Sequence, residues 1–235
     1  MPVPQQTLVT GATVTPPWFM DETPLATDGY CKAVFKEAFS RLDMLFVAIP
    51  MSKPRIDQSL TSGKIEGVLC SSPKWYQNNQ LPMAATLPIA SASNVILMNK
   101  ANAAAISSPD ELSGKTIATI IGFQYNDSYQ DIFKHTDLRR KDVTTGTSAL
   151  QMLLAGRVDA VILDRSEAKW LLEREFAGAP VEEVYAFSES TDIGLLLFGG
   201  KQRLIPLINN ALKEMQRDGT LEHLKASYFN PPVEH

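Results

Sequence analysis

Residues 149–164 read ALQMLLAGRVDAVILD, and the change of pattern within them decides the fold prediction. The first seven residues place apolar side chains at helical spacing. Gly156 then ends the helix, because glycine adopts the left-handed conformation without a Cβ clash. The residues that follow form a short apolar run typical of a strand. The pattern therefore predicts a helix, a glycine turn and a strand that delivers Asp164 at its carboxyl end.

An earlier stretch has the same pattern. Residues 60–71, LTSGKIEGVLCS, resemble residues 153–164 position by position. Glycine aligns with glycine, Lys with Arg, Ile with Val and Glu with Asp. Two copies so far apart are not the short-period series of a solenoid. We therefore expect two separate α/β lobes, each with a helix–glycine–strand unit whose strand ends in a polar residue.

Composition restricts the class of protein. The chain has 235 residues, enough for one large or two ordinary domains. A net charge of −4 argues against a nucleic-acid-binding protein, which needs a basic surface. The one short basic run, Arg139 to Lys141, is expected to be a solvated loop. No stretch of about 18 apolar residues is present, so no membrane-spanning helix is predicted.

Cys31 and Cys70 are the only cysteines. Two cysteines in a chain of this length fit an oxidising or a reducing compartment, so the count does not decide between them. Cys31 begins a predicted helix and Cys70 ends a predicted strand. Two small buried thiols are favoured over a disulfide.

The rest of the chain alternates between strand and helix patterns. Strands are predicted at 7–10, 44–49, 65–70, 94–98, 116–121, 142–144, 184–187 and 193–198. Helices are predicted at 29–42, 54–63, from 108, at 128–133, 166–176, 204–215 and 221–228. Asp28 is the predicted N-cap of the first helix. The alternation predicts an α/β protein with mostly parallel sheets.

Two strands, 94–98 and 193–198, are expected to cross between the lobes. With two crossings, the first lobe is built from both ends of the chain. We therefore predict lobe 1 at residues 1–95 plus 195–235 and lobe 2 at residues 96–194.

Six motifs occur in order along the chain. They are PPW at 16–18, DGY at 28–30, LTSGKIE at 60–66, LSGKTI at 112–117, AGRVDA at 155–160 and MQRDGTLEHLKASYF at 215–229. Together they resemble the bacterial extracellular solute-binding proteins of family 3, the amino-acid-binding type. The resemblance implies a type II periplasmic-binding-protein-like fold, in which two α/β lobes joined by a two-strand hinge close on a ligand in the cleft.

The resemblance also implies a location and partners. Such proteins are periplasmic or lipid-anchored and deliver their solute to the membrane subunits of an ABC transporter. This chain is expected to be periplasmic and to act as a monomer, without nucleic acid. Residues 1–6 have neither the basic start nor the apolar stretch of a secretion signal. The chain is therefore expected to be a mature form that lacks its leader.

In this family, the position of Asp164 holds the α-amino group of the ligand. The alternative role is the N-cap of the helix that follows. The arginine that grips the ligand carboxylate is expected near residues 77–79, yet residues 71–79 contain none. Lys74 is the only cation there, and lysine is a point charge rather than a fork. We therefore expect a solute other than a standard α-amino acid, with an uncharged or aromatic group at that end.

The candidate ligand contacts lie in turns that follow predicted strands. They are Trp18, Ser71, Ser72, Trp75, Tyr76, Gln124, Tyr125, Asn126 and Asp164. The aromatic residues could stack on a ligand or pack beneath a loop. The serines could donate hydrogen bonds to a ligand or belong to a solvated turn. The family's anion-binding turn reads Gly122-Phe123-Gln124 here, with an aromatic residue in place of a hydroxyl donor. Gln124 to Asn126 lie in the strand-to-helix turn, where Asn126 or Asp127 could instead cap the helix.

Other kinds of site are not indicated. Residues 113–116, SGKT, resemble the end of a phosphate-binding loop, but Pro109 stands where that loop needs glycine and a strand follows. The three histidines are far apart and lack partners at zinc spacing. No Gly-x-Ser-x-Gly elbow occurs. No metal, cofactor or nucleophile is therefore predicted.

The sequence thus predicts a protein that captures a small polar solute for an ABC importer and is not an enzyme. The first alternative is a cleft enzyme of the dehydratase type, with Asp164 as a proton donor. The second is a ligand-sensing module for a signalling partner.

Overall fold

The computed structural model describes residues 6–21, 28–77, 79–103, 106, 108–125 and 137–229. The chain forms two compact units: unit 1 is Met1–Ala90 with Asp192–His235, and unit 2 is Ser91–Thr191. The chain therefore passes between units at residues 90/91 and 191/192, where the sequence prediction placed the boundaries at 95/96 and 194/195.

The described residues form nine strands and six α-helices. The strands are β1 (Thr7–Ala12), β2 (Leu45–Pro50), β3 (Gly67–Ser71), β4 (Met83–Ala85), β5 (Ala90–Asn99), β6 (Thr116–Ile120), β7 (Arg139–Val143), β8 (Ala160–Asp164) and β9 (Val181–Phe198). The helices are α1 (Tyr30–Arg41), α2 (Lys53–Thr61), α3 (Gly146–Leu154), α4 (Arg165–Arg174), α5 (Ile205–Arg217) and α6 (Thr220–Phe229). The α/β class is confirmed.

Unit 1 contains a mixed sheet with a parallel core. Strand β1 lies between β2 and β3 and is parallel to both. The end of β9 is antiparallel to β3 and β4. Because β2 and β3 run in the same direction, the residues that follow them lie at the same edge of the sheet, which we call the carboxyl edge of unit 1.

Helix α1 buries the predicted apolar face in unit 1. Its buried residues are Tyr30, Cys31, Val34, Phe35, Ala38 and Phe39. The N-cap is Gly29, with φ of 81°, and a Cβ there would lie 2.7 Å from Phe19 Cα. The prediction of Asp28 as the N-cap is wrong, because its carboxylate pairs instead with Lys32 Nζ at 3.1 Å and with Lys36 Nζ at 3.4 Å.

A disulfide joins Cys31 in α1 to Cys70 in β3, with the two Cα atoms 5.9 Å apart. The prediction of two free thiols is therefore wrong. Cys70 has a left-handed φ of 51°, and the pairing of β3 with β9 shifts register between Val68 and Ser71. Such bulges redirect side chains, so the strand pattern alone could not show that Cys70 reaches α1.

Unit 2 has the strand order β5-β8-β6-β7. Strand β6 is parallel to β7 and β8, whereas β5 is antiparallel to β8. Alternate residues of β8 enter two clusters: Val161 and Leu163 pack with α3 and α4, while Ala160 and Ile162 pack with Leu112. Both faces of β8 are buried, which explains why its sequence is a continuous apolar run rather than an alternating one.

Both helix–glycine–strand units predicted from the sequence are present. In unit 2, α3 ends before Gly156, with φ of 65°, and β8 then ends at Asp164. In unit 1, α2 ends before Gly63, with φ of 68°, and β3 then ends at Ser71. The same local pattern therefore places a polar residue at the carboxyl end of a strand in both unit 1 and unit 2.

Other local predictions fail where tertiary pairing decides. β9 is one strand of 18 residues rather than two, and the sheets are mixed rather than mostly parallel. The basic run at Arg139 belongs to the exposed edge strand β7 rather than to a loop. The helix predicted at 128–133 lies outside the described residues. In the described part of the chain, no helix is long and apolar enough to span a membrane.

Candidate functional site

Two serines end the first copy of the repeated pattern at the carboxyl edge of unit 1. Ser71 is the last residue of β3, and Ser72 precedes a 3₁₀ turn over Pro73–Tyr76. Their side chains are buried, at 4% and 3% exposure. The alternative of a solvated turn is therefore wrong, while hydrogen bonds from these hydroxyls to a solute remain a prediction.

Tyr76 ends this turn and is 3% exposed. Its ring packs edge-to-face against Phe198, with the ring centroids 5.6 Å apart. Its hydroxyl is buried and makes no hydrogen bond of good geometry with any described residue. Burial, and then the charge of Asp57, raise the Tyr76 pKa, and the interaction with the nearby Ser71 side chain lowers it by less. An unsatisfied buried hydroxyl costs about 1–3 kcal/mol, so Tyr76 would be stabilised by a polar partner.

Lys53 is a cation that contacts this turn, and no local sequence pattern indicated it as a candidate. It is the first residue of α2, and its Nζ lies 4.2 Å from the centroid of the Tyr76 ring. Its side chain is 12% exposed and forms an ion pair with Asp57. Lys74, the cation named from the sequence, is exposed. A cation that follows β2 could have been named as a candidate only by noting that β2 and β3 end at the same edge of the sheet in unit 1.

The two tryptophans of unit 1 have mainly packing contacts. Trp18 is 6% exposed, and its ring centroid lies 6.3 Å from that of Tyr30 and 4.8 Å from that of Phe229. Trp75 is half-buried against the core cluster that contains Tyr76. These contacts favour the packing role for both residues, and stacking on a solute stays a prediction.

Asp164 caps helix α4 in unit 2. Its Oδ1 accepts hydrogen bonds from the backbone N–H of Ser166 at 2.9 Å and of Glu167 at 3.1 Å. The capping role considered for this residue is confirmed. A carboxylate has two oxygens and about four lone-pair sites, so capping and solute binding are compatible. The cap fixes the carboxylate at the carboxyl end of β8, and its contact with a solute amine stays a prediction.

Glu167 is a buried acid next to Asp164 that the sequence analysis also missed. It is 2% exposed, and its carboxylate accepts the backbone N–H of Gly146 at the start of α3. A Cβ on Gly146 would lie 2.5 Å from Glu167 Oε1, so only glycine leaves room for the carboxyl group. Burial, and then the charge of Asp164, raise the Glu167 pKa well above its usual range. The available signal was a glutamate three residues after an N-cap.

We expect Glu167→Gln to become increasingly stabilising as pH rises. The raised pKa of Glu167 means that the folded state holds its proton more tightly than the unfolded state. The resulting stability is fully present below the unfolded pKa of about 4.3 and is lost as pH rises through the folded pKa. Glutamine does not titrate, so its advantage over the wild type should be greater near pH 8 than near pH 4.5.

Urea unfolding at the two pH values measures this difference. Glu173→Gln, on the exposed side of the same helix, is the control and should show a much smaller pH dependence. A difference between Glu167→Gln and the wild type that stays constant with pH would contradict a role for Glu167 ionisation.

The turn after β6 lies at the same edge as Asp164, because β6 and β8 are parallel. Tyr125 is 8% exposed, and its hydroxyl accepts the backbone N–H of Ile120 at 2.9 Å. Burial raises the Tyr125 pKa. These contacts favour a structural role for Tyr125, and its contact with a solute stays a prediction. Gln124 is exposed, and its contact with a solute also stays a prediction. Asn126 and residue 78, near the expected arginine position, lie outside the described residues.

Each unit thus carries polar candidates where parallel strands end. Free backbone groups and helix N-termini meet at such edges, which are frequent ligand sites in α/β proteins. Over the ranges that the structure describes, no group of three or more His, Cys, Asp or Glu residues could hold a metal ion.

Comparisons with known proteins show the family and the fold of the chain. The model of the bacterial extracellular solute-binding proteins, family 3, matches residues 7–231. The L-cystine-binding protein TcyJ of Escherichia coli strain K12 is 31% identical over 138 residues, which is 58% of this chain and 50% of TcyJ. The probable amino-acid-binding protein YxeM of Bacillus subtilis strain 168 is 31% identical over 154 residues, which is 63% of this chain and 56% of YxeM. The chain spans about half the length of the curated relatives it matches.

Solved structures match over more of the chain. An ancestral arginine-binding protein bound to arginine has a TM-score of 0.84 and 25% identity, covering 96% of this chain and 99% of that one. The ligand-binding core of GluR0 from Nostoc punctiforme, in complex with L-glutamate, has a TM-score of 0.78 at 21% identity, covering 95% of this chain and all of that one. The similarity to the GluR0 core shows the fold alone. Both structures identify the fold of the chain as that of type II periplasmic binding proteins.

Proposed function

Because the chain belongs to the bacterial extracellular solute-binding proteins of family 3, we propose that it reversibly binds a small, polar, amine-bearing solute. It delivers this solute, as a monomer, to the membrane subunits of an ABC importer. Capture needs no covalent step, since a binding protein works through differences in affinity. The observation that carries the proposal is Asp164, held by the α4 cap at the end of β8, where a carboxylate can pair with an ammonium group.

The proposed solute is amino-acid-like but is not a standard α-amino acid. Residues 71–79 contain no arginine, so the described turn lacks the planar fork that binds a carboxylate through two hydrogen bonds. Ser71, Ser72 and Tyr76 provide hydroxyl groups there instead. The names of the similar proteins mention cystine and arginine, so both compounds belong in any ligand search.

The proposed location is the periplasm. The name of the family describes its members as extracellular. The Cys31–Cys70 disulfide supports export, because disulfides persist in oxidising compartments and are rare in the cytosol.

A thermal-shift screen of the full chain tests the function. The panel contains the standard amino acids, cystine, ω-amino acids, simple amines and small acids without an amine. A ligand that binds only the folded state raises its stability by mass action, so we expect amine-bearing compounds to raise the Tm. A panel in which no compound raises the Tm would contradict solute capture. Tight binding of arginine, glutamate or glutamine by calorimetry would contradict only the exclusion of standard α-amino acids.

A further inference from the structure

Lys53 lies at the part of unit 1 where the proposed function needs donors. It follows β2, whereas Ser71 ends β3 and Tyr76 ends the turn that comes after β3. Both strands are parallel to β1. The three residues therefore belong to one edge of one sheet. The distance of 4.2 Å between Lys53 Nζ and the Tyr76 ring centroid confirms that the two loops meet.

The Lys53 ammonium group and the Tyr76 hydroxyl are two neighbouring hydrogen-bond donors, and their donor capacity is only partly used. An ammonium group has three N–H donors, and the Lys53 side chain, at 12% exposure, pairs with the half-exposed Asp57. The Tyr76 hydroxyl, in a residue 3% exposed, has no hydrogen bond of good geometry within the described ranges. A single anionic oxygen could accept from both groups, which would satisfy the buried hydroxyl and use a further lysine donor.

We propose that Lys53, with the Tyr76 hydroxyl as second donor, binds an anionic group of the solute at a single point. This inference rests on the proposed function and names its solute class: a molecule with an amine and an oxyanion. The uncharged or aromatic group expected from the sequence gives way to an anion, because the cation lies on α2 rather than in residues 71–79. Lys74, by contrast, is exposed.

A single-point contact has a consequence for selectivity. An arginine fork matches the two coplanar oxygens of a carboxylate, whereas lysine is a compact charge without a preferred plane. The subsite should therefore accept a tetrahedral sulfonate about as well as a carboxylate. Taurine and β-alanine test this, since both carry an amine two carbons from the anion, and ethanolamine replaces the anion with a hydroxyl.

Calorimetry of the full chain with these three probes tests the inference. We expect wild type to bind taurine and β-alanine more tightly than ethanolamine. Lys53→Met should weaken the two anionic probes by about 10- to 100-fold, as for loss of a charge-assisted hydrogen bond, and leave ethanolamine unchanged. Lys74→Met removes the exposed lysine and should change none of the three. If Lys74→Met weakens the anionic probes and Lys53→Met does not, the inference is overturned.

Asp57→Asn keeps the inference testable if Lys53→Met folds poorly. Removing the competing carboxylate should strengthen binding of taurine and β-alanine, whereas a purely structural Lys53–Asp57 pair would leave it unchanged or weaker. If ethanolamine binds wild type as tightly as the anionic probes, the inference fails while solute capture stands. If none of the three binds, the inference fails, and the thermal-shift panel decides separately whether solute capture stands.

Discussion

Asp164→Asn is expected to weaken binding of the best amine-bearing solute by about 100- to 1,000-fold, because it removes the charge that pairs with the ammonium group. Asparagine is as good an N-cap as aspartate, so the hydrogen bonds that Asp164 accepts from the start of α4 can be kept. Folding stability should therefore change little. Calorimetry gives the affinity and urea unfolding gives the stability of the same preparation.

The matched variant is Asp164→Ala, which removes both the charge and the cap. It should lose affinity as Asp164→Asn does and lose in addition about 1 kcal/mol of stability. Unchanged affinity in Asp164→Asn would show that Asp164 only caps α4 and would remove the observation on which solute capture rests.

The second large effect is expected on stability. Replacing both Cys31 and Cys70 with serine should lower the free energy of unfolding by about 2–4 kcal/mol, because the disulfide restricts the unfolded chain. The two cysteines are 39 residues apart, a loop long enough for the upper part of that range. For a chain of this size, the Tm should fall by about 4–16 °C.

Thermal unfolding of the wild type with and without a thiol reductant is the control. Reduced wild type should approach the Tm of the double serine variant, whereas the reductant should not affect the variant itself. A double variant as stable as the oxidised wild type would contradict a stabilising disulfide. Solute affinity gives a second readout, since Cys70 directly precedes Ser71 and Ser72 at the carboxyl edge of unit 1.

The candidate site could be predicted from the sequence only in part. The position of Asp164 at a strand end follows from a local pattern, a glycine turn followed by an apolar strand. The position of Ser71 in unit 1 follows from the same pattern. Lys53 and Glu167 could not be identified from local patterns, because each is recognised by its contact with a residue on another element. Lys53 contacts Tyr76, and Glu167 contacts Gly146.

Several candidate residues could not be given roles from the sequence. Tyr125 was a possible ligand contact, but its hydroxyl accepts the N–H of Ile120 inside unit 2. Trp18 was a possible stacking platform, but it packs on Phe229, 211 positions later in the chain. Aromatic residues in polar turns have an apolar body and a polar end, and neither property says which neighbour the fold will supply.

Local sequence patterns were enough to predict the α/β class, the two helix–glycine–strand segments and the delivery of Asp164 to a strand end. These features depend on side-chain spacing and on the backbone freedom of glycine, which act within a few residues. The Cys31–Cys70 disulfide, the buried carboxyl of Glu167 at Gly146 and the contact of Lys53 with Tyr76 could be recognised only in the folded protein. Each of these contacts joins residues on different elements, so it forms only when the elements pack together. The sequence around one of the two residues does not indicate which residue will be its partner.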